Sequence, residues 1–204
     1  VTGGRRGRLI ALEGGEACGK STQAALLAAG LGAVLTREPG GTALGERVRS
    51  LVLGPAEVAM AARAEALLLA GARAQHVAEV IGPALAAGRD VVTDRFSGST
   101  LAYQGFGRGL DLDELRRLCE WAAGGLWPDL NILLVSDRPL GPPRPPDRME
   151  AEDGCFHRRV AQGYASLAAS DPSAWAAVGA EGTVEEVAAR VLGAVQARWP
   201  GWSR

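Results

Sequence analysis

The stretch Gly14-Gly15-Glu16-Ala17-Cys18-Gly19-Lys20-Ser21-Thr22 follows the apolar run Leu9-Ile10-Ala11-Leu12 and precedes Ala24-Ala25-Leu26-Leu27. An apolar run, a glycine-rich turn and a second apolar segment in that order predict a strand, a loop and a helix. The spacing satisfies GxxxxGK[ST]. Its glycines let successive backbone N–H groups turn inward around a phosphate, and the helix N-terminus adds its positive end. Nucleotide contacts are therefore expected along Gly14, Gly15, Ala17, Cys18, Gly19 and Thr22. Lys20 would reach the β- and γ-phosphates of ATP or GTP, and the Ser21 hydroxyl would sit on Mg²⁺. The loop alone does not define what receives the phosphoryl group.

Working outward, the 204 residues are 47% hydrophobic and 22% charged, which suits one α/β domain spanning 1–204 with a full core. Lys+Arg 22 against Asp+Glu 23 gives a net charge of −1, so no global basic field draws the chain to nucleic acid or an anionic membrane. Anion binding must come from locally placed arginines. Cys18, Cys119 and Cys155 are far apart and show no CxxC spacing, which fits a reduced, cytoplasmic compartment. Residues 1–8 lack the apolar core of a signal peptide and read as a frayed tail, and no apolar run is long enough to span a bilayer.

A helix is expected over 21–29, ended by Gly30 and Gly32, and then a second buried strand at Ala33-Val34-Leu35-Thr36. Arg37-Glu38-Pro39-Gly40-Gly41-Thr42 is a turn by composition, at a strand's carboxyl end, where open α/β sheets bind ligands. Residues 43–53 show helical spacing, and 56–87 are apolar on so much of their circumference that one or two buried helices are expected. Arg73 interrupts that surface, either as a snorkelling side chain or as a functional one. His76 reads as a plain helix residue.

Asp90-Val91-Val92-Thr93-Asp94-Arg95 predicts a third strand that delivers two opposite charges at its end: a strand-end ion pair, or an acid for Mg²⁺ beside an arginine that clamps phosphate. The segment 96–109, rich in Gly, Ser and aromatics, has the composition of a substrate-facing element. A helix over 112–123 would bury Leu115, Leu118 and Trp121. Leu130-Asn131-Ile132-Leu133-Leu134-Val135 predicts a fourth strand. Residues 139–146 carry five prolines and read as a stiff exposed loop. Helix is expected over 149–169, with Phe156, Val160, Tyr164 and Leu167 on one side, and a fifth strand over 174–178. Thr183 and Glu186 form a capping box for a last helix.

Strand–loop–helix followed by further strand–helix steps is the doubly wound nucleotide-kinase architecture: a three-layer, five-stranded parallel sheet of the P-loop NTPase fold, with a short lid at 137–148. At this level the sequence resembles the bacterial thymidylate kinases. The matching pieces are Glu13 to Thr22 around the loop, Thr36-Arg37-Glu38-Pro39-Gly40-Gly41-Thr42, Ala72-Arg73-Ala74-Gln75, Asp94-Arg95-Phe96 with Ser99 and Ala102-Tyr103-Gln104-Gly105, Pro128-Asp129-Leu130, and Asp147-Arg148-Met149-Glu150. They run in the family's order over nearly the whole chain.

The resemblance implies transfer of a phosphoryl group from ATP to dTMP, with Mg²⁺, in a homodimer formed through the apolar helices. It implies that Glu16 meets the sugar 3′-hydroxyl. Arg95 would hold the acceptor phosphate with Arg37 and Arg49 in support, and Asp94 would organise Mg²⁺. Arg73 would read the thymine O4, Ser99, Thr100 and Gln104 would face the pyrimidine edge, and Tyr103 would crowd the sugar 2′ position.

Two departures stand out. Where the family stacks an aromatic on thymine, this chain has Leu69, which implies weaker or less selective base binding and leaves open a nucleotide kinase of shifted base preference. The lid, with no arginine at Ala17 or Cys18 to compensate, is short and rich in proline. Arg144 is the candidate transition-state arginine, with Arg138 and Arg148 behind it. Failure of Arg144 to reach would leave a slow, nucleotide-binding homologue.

Overall fold

The computed structural model describes residues 5–54, 59–136, 140 and 145–201. Five parallel strands lie in the order β2-β3-β1-β4-β5. They are β1 (Leu9–Gly14), β2 (Val34–Arg37), β3 (Val91–Asp94), β4 (Leu130–Val135) and β5 (Trp175–Gly179). β1 is buried at every position, which is why it reads as a continuous apolar run and not as an alternation.

Its alternate residues serve the two faces of the sheet. Ile10 and Leu12 pack with α1 (Lys20–Leu31) and α8 (Val184–Arg198), whereas Leu9 and Ala11 pack with Ile81, Ala84 and Leu85 on the other side. Between these lie α2 (Ala43–Leu53), α3 (Ala62–His76), α4 (Gly82–Ala86), α5 (Ser97–Thr100), α6 (Leu112–Ala122) and α7 (Gly154–Ser170). Helix–sheet–helix layering follows, as expected of the P-loop fold.

Local signals set the ends of these elements. Gly32, at φ 58°, closes α1 with its N–H on the Ala28 and Ala29 carbonyls. Thr183 and Glu186 cap α8 reciprocally. Asp153 caps α7 by accepting from Phe156 N at 2.7 Å, so that helix begins later than residue 149, after a turn at 148–151.

The chain runs from β1 out to β2, back to β3, then across to β4, so the connections diverge on either side of β1 and β3. Ligands of open α/β sheets bind at such a switch point. Here Leu12 pairs with Asp94 in register, Arg95 N donates to Leu12 O at 2.9 Å, and Glu38 N donates to Asp94 O at 2.9 Å. The carboxyl ends of β1, β2 and β3 are thereby laced together.

Two sequence expectations change. The run expected to be buried helix exposes a flank, with Leu67 61% exposed, and α3 passes into α4 through a π-helical segment, Val77–Ile81. Positions 56–58 of that expectation lie outside the described residues. Trp121 is 82% exposed, and Cys119 takes the inward place beside Leu115, because the inner stripe of α6 turns away from Trp121. In the segment expected to face substrate, α5 runs into a π-helix, Leu101–Gly107, packed on α7. No described helix is long and apolar enough to cross a membrane.

Candidate active site

A cleft of about 1270 Å³ opens at the carboxyl ends of β1 and β3. One end is the glycine-rich loop. Gly14 (φ 143°) and Gly19 (φ 87°) bracket it, and a Cβ on Gly14 would lie 2.6 Å from the Leu134 carbonyl oxygen, so no other residue fits there. Lys20 is 7% exposed and folds its ammonium onto Gly15 O, with Cys18 Sγ 3.6 Å away. The Ser21 hydroxyl donates to Asp94 Oδ2 at 2.5 Å. Asp94 Oδ1 is buried and makes no hydrogen bond among the described residues. That orphan oxygen beside a serine hydroxyl is an oxygen-donor pair of the kind Mg²⁺ uses when phosphates and water supply its other ligands. The described residues hold no cluster of His, Cys, Asp or Glu dense enough to bind a metal without such help.

Arg95 occupies the middle of the cleft. Its backbone sits in the left-handed region at φ 73°. Its Nη1 donates to Gly14 O at 2.9 Å and to Ser99 Oγ and Tyr164 OH, each at 3.1 Å. Its Nη2 donates to Glu16 Oε1 at 2.7 Å and to Tyr103 OH at 3.2 Å, and the Tyr103 hydroxyl itself donates to Glu16. Burial alone pushes the Glu16 carboxyl up, but Arg95 and Lys20 outweigh that, with hydrogen bonds from Tyr103 and Arg95, and bring it down to about 2. Burial holds the Tyr103 phenol well above its ordinary range, so it remains a donor. The guanidinium is thus locked, charged and turned toward the loop.

The far end is built on α3. Arg73 is 3% exposed and donates through Nε to Glu38 Oε2 at 2.8 Å, through Nη2 to Thr100 Oγ1 at 3.1 Å and through Nη1 to Cys119 Sγ at 3.4 Å. Its guanidinium lies 5.0 Å from the Phe96 ring centroid. Glu38 also meets His76 Nδ1 at 3.0 Å, and His76 Nε2 reaches Thr36 Oγ1 at 2.6 Å. An ionised Glu38 only accepts, so Nδ1 carries the proton and, in the neutral ring, Nε2 accepts from Thr36. Glu38 stood out in the sequence only as half of a charged pair at a strand end, and His76 did not stand out at all. The available signal was the three-residue spacing of Arg73 and His76, which puts both on one helix face.

The adjacent charges of Arg37 and Glu38 do not act as a pair. Glu38 turns inward, whereas Arg37 turns outward to Glu46 at 3.0 Å. Arg49 donates to Pro39 O at 3.0 Å and lies in the field of Asp94 and Asp147. Leu69 lines the cleft with Val52 and Ala72.

Two residues expected at the base edge are committed elsewhere. Ser99 donates to the buried Glu13 at 2.6 Å, and Gln104 Nε2 donates to the buried Glu65 at 2.8 Å. Arg148 likewise faces away from the loop, tied to Glu65 and to Val52 O. Arg144 and Arg138 lie outside the described residues. Leu140 and Pro146, which flank Arg144 in sequence, line the cleft, and Leu140 N donates to Ala17 O at 2.7 Å.

A family model described as thymidylate kinase matches residues 12–191. A thymidylate kinase of Synechococcus sp. (strain JA-2-3B'a(2-13)) is 50% identical over 198 residues, covering 94% of this chain and 95% of the relative. One of Leifsonia xyli subsp. xyli is 51% identical over 198 residues, covering 92% and 93%. The crystal structure of thymidylate kinase from Ehrlichia chaffeensis superposes with a TM-score of 0.79 at 28% identity, over 94% of this chain and all of that one.

Proposed function

The chain belongs to the thymidylate kinase family, and from that membership we propose that it transfers the γ-phosphoryl group of ATP to dTMP, forming ADP and dTDP. The observation that carries this reading is the Arg95 node. A locked guanidinium faces a phosphate-binding loop and, through Glu16 and Tyr103, also meets the groups that would border a deoxyribose.

Phosphoryl transfer asks for alignment and charge neutralisation, with little covalent chemistry from the protein. The loop N–H groups and Lys20 cradle the donor phosphates. Arg95 holds the acceptor phosphate in line, with Arg37 and Arg49 at the entrance. Glu16, ionised well below neutral pH, accepts a hydrogen bond from a sugar hydroxyl, and Tyr103 stands where a 2′-hydroxyl would go. Arg73, with Thr100 fixed against it, meets the base. Ser21 and Asp94 would hold Mg²⁺, which supplies neutralisation of phosphate charge when bound.

Residues 137–148 serve as the lid of a single kinase domain, and Arg144 supplies its cation. A homodimer is supported by the exposed apolar side chains Leu51, Leu67 and Trp121 on α2, α3 and α6. Free cysteines and the absence of a spanning helix among the described residues agree with a cytoplasmic enzyme.

The test is ADP release with ATP–Mg²⁺ and dTMP, run beside dUMP, dCMP, AMP and no acceptor. Turnover that depends on dTMP supports the proposal. Turnover with AMP but not with dTMP overturns it.

A further inference from the structure

Glu13, the last side chain of β1 before the loop, is fully buried and has no part in the contacts assigned above to nucleotide. Oε1 accepts from Phe96 N at 2.9 Å. Oε2 accepts from Ser99 Oγ at 2.6 Å and from Tyr164 OH at 3.2 Å. Those two hydroxyls lie 2.8 Å apart, and both accept from Arg95 Nη1. Gly98 leaves room for this approach, because a Cβ there would fall 2.8 Å from Glu13 Oε1.

Donor bookkeeping gives the arrangement a direction. A carboxylate only accepts, and each hydroxyl has one hydrogen to give. With Glu13 ionised, the Ser99 hydrogen points at Oε2 and the Tyr164 hydrogen is directed toward Oε2 and Ser99. The lone pairs of both oxygens are therefore turned to Arg95. The same carboxylate pins the amide that follows Arg95, a residue whose left-handed backbone is strained and persists only when its surroundings enforce it.

We propose that Glu13 is a positioning residue for phosphoryl transfer: through Ser99 and Tyr164 it sets the hydrogen-bond polarity that aims the Arg95 guanidinium, and so governs affinity for the acceptor's phosphate without touching it. This rests on the assignment of Arg95 to the acceptor phosphate. Burial, only partly offset by Ser99, Arg95 and the Phe96 amide, pushes the Glu13 carboxyl above the ordinary range. The charged or titratable groups facing it are Arg95 from the end of β3, Tyr164 from α7 and, farther off, Arg73 from α3. Protonation gives Glu13 a hydrogen to donate, and the relay can then reverse. Affinity for dTMP should accordingly fall on the acid side at a pH above that of an ordinary carboxylate.

Glu13→Gln is the direct test: it keeps the volume and the acceptor for Phe96 N, but places an amide donor against the two hydroxyls. The expected result is a tenfold or greater rise in KM for dTMP with KM for ATP within twofold, and loss of the Glu13 part of the acid limb in kcat/KM. Ionisation of the dTMP phosphate is common to both enzymes and cancels in their ratio. A folded Glu13→Gln enzyme with an unchanged KM for dTMP and an unchanged acid limb overturns the proposal. Should that variant not fold, Tyr164→Phe removes one hydroxyl of the relay; a several-fold rise in KM for dTMP supports the proposal, and none overturns it. If wild-type protein shows no dTMP-dependent turnover, the functional reading fails, and arginine-selective NMR of the unliganded protein still reads the relay. Guanidinium rotation of Arg95 should be slow in wild type and faster in Glu13→Gln; equal rates overturn the relay.

Discussion

Glu38 accepts a 2.8 Å hydrogen bond from Arg73 Nε, joining the end of β2 to the face of α3, with side chains 6% and 3% exposed. A buried ion pair contributes little net stability over an apolar replacement, but removing one member leaves a charge stranded. Glu38→Ala should therefore destabilise the fold by about 3–5 kcal/mol, measured by urea unfolding. Glu38→Gln, which retains an acceptor for Arg73, should lose less and chiefly raise KM for dTMP, because Arg73 is then held less firmly.

The Glu16 carboxyl makes acid stability a readout of the Arg95 node. Its pKa is about 2 in the folded protein against an ordinary value of 4.5, so folding favours the ionised form. That contribution, at most about 3 kcal/mol, is present above pH 4.5 and is lost as pH falls from there toward 2. Stability measured across that window should fall less steeply in Glu16→Gln than in wild type. Glu13 works in the opposite sense: its raised pKa favours the folded state when protonated, and that contribution is lost as pH rises through the folded value.

Ala17 sits at φ 50°, where an L-residue is strained, and its carbonyl accepts from Leu140 N. Ala17→Gly removes strain of about 1–2 kcal/mol and adds chain entropy worth about 0.5–1 kcal/mol to the unfolded state. A net gain of about 0 to 1.5 kcal/mol is expected in thermal unfolding. Gly19→Ala, at φ 87°, should lose stability and raise KM for ATP.

Leu69 lines the cleft where a ring would add stacking. Leu69→Phe should lower KM for dTMP several-fold, in line with the roughly 0.5–1.5 kcal/mol an aromatic contact adds beyond burial. Acceptor-dependent KM values with dTMP, dUMP and dCMP check this, and unchanged values would show that the base does not reach Leu69.

Arg144→Ala should lower kcat by about 10³ with little change in KM for dTMP, as expected of a cation used only in the transition state. A variant as fast as wild type excludes Arg144 from catalysis.

The sequence by itself determined the order of strands and helices, the loop, and the charges at strand ends. Those signals are local: β1 is apolar at successive positions because both its faces are covered, and Gly14 and Gly19 occupy conformations other residues avoid. Only the tertiary structure decided which way each side chain turns. Arg37 and Glu38 are neighbours in sequence yet point to opposite partners, and Ser99, expected at a base, serves Glu13. Glu13 and His76 gave no local signal of their roles, and Glu38 none of its partner, because a buried polar group is defined by the partners that satisfy it, and these come from strands and helices far apart in the chain.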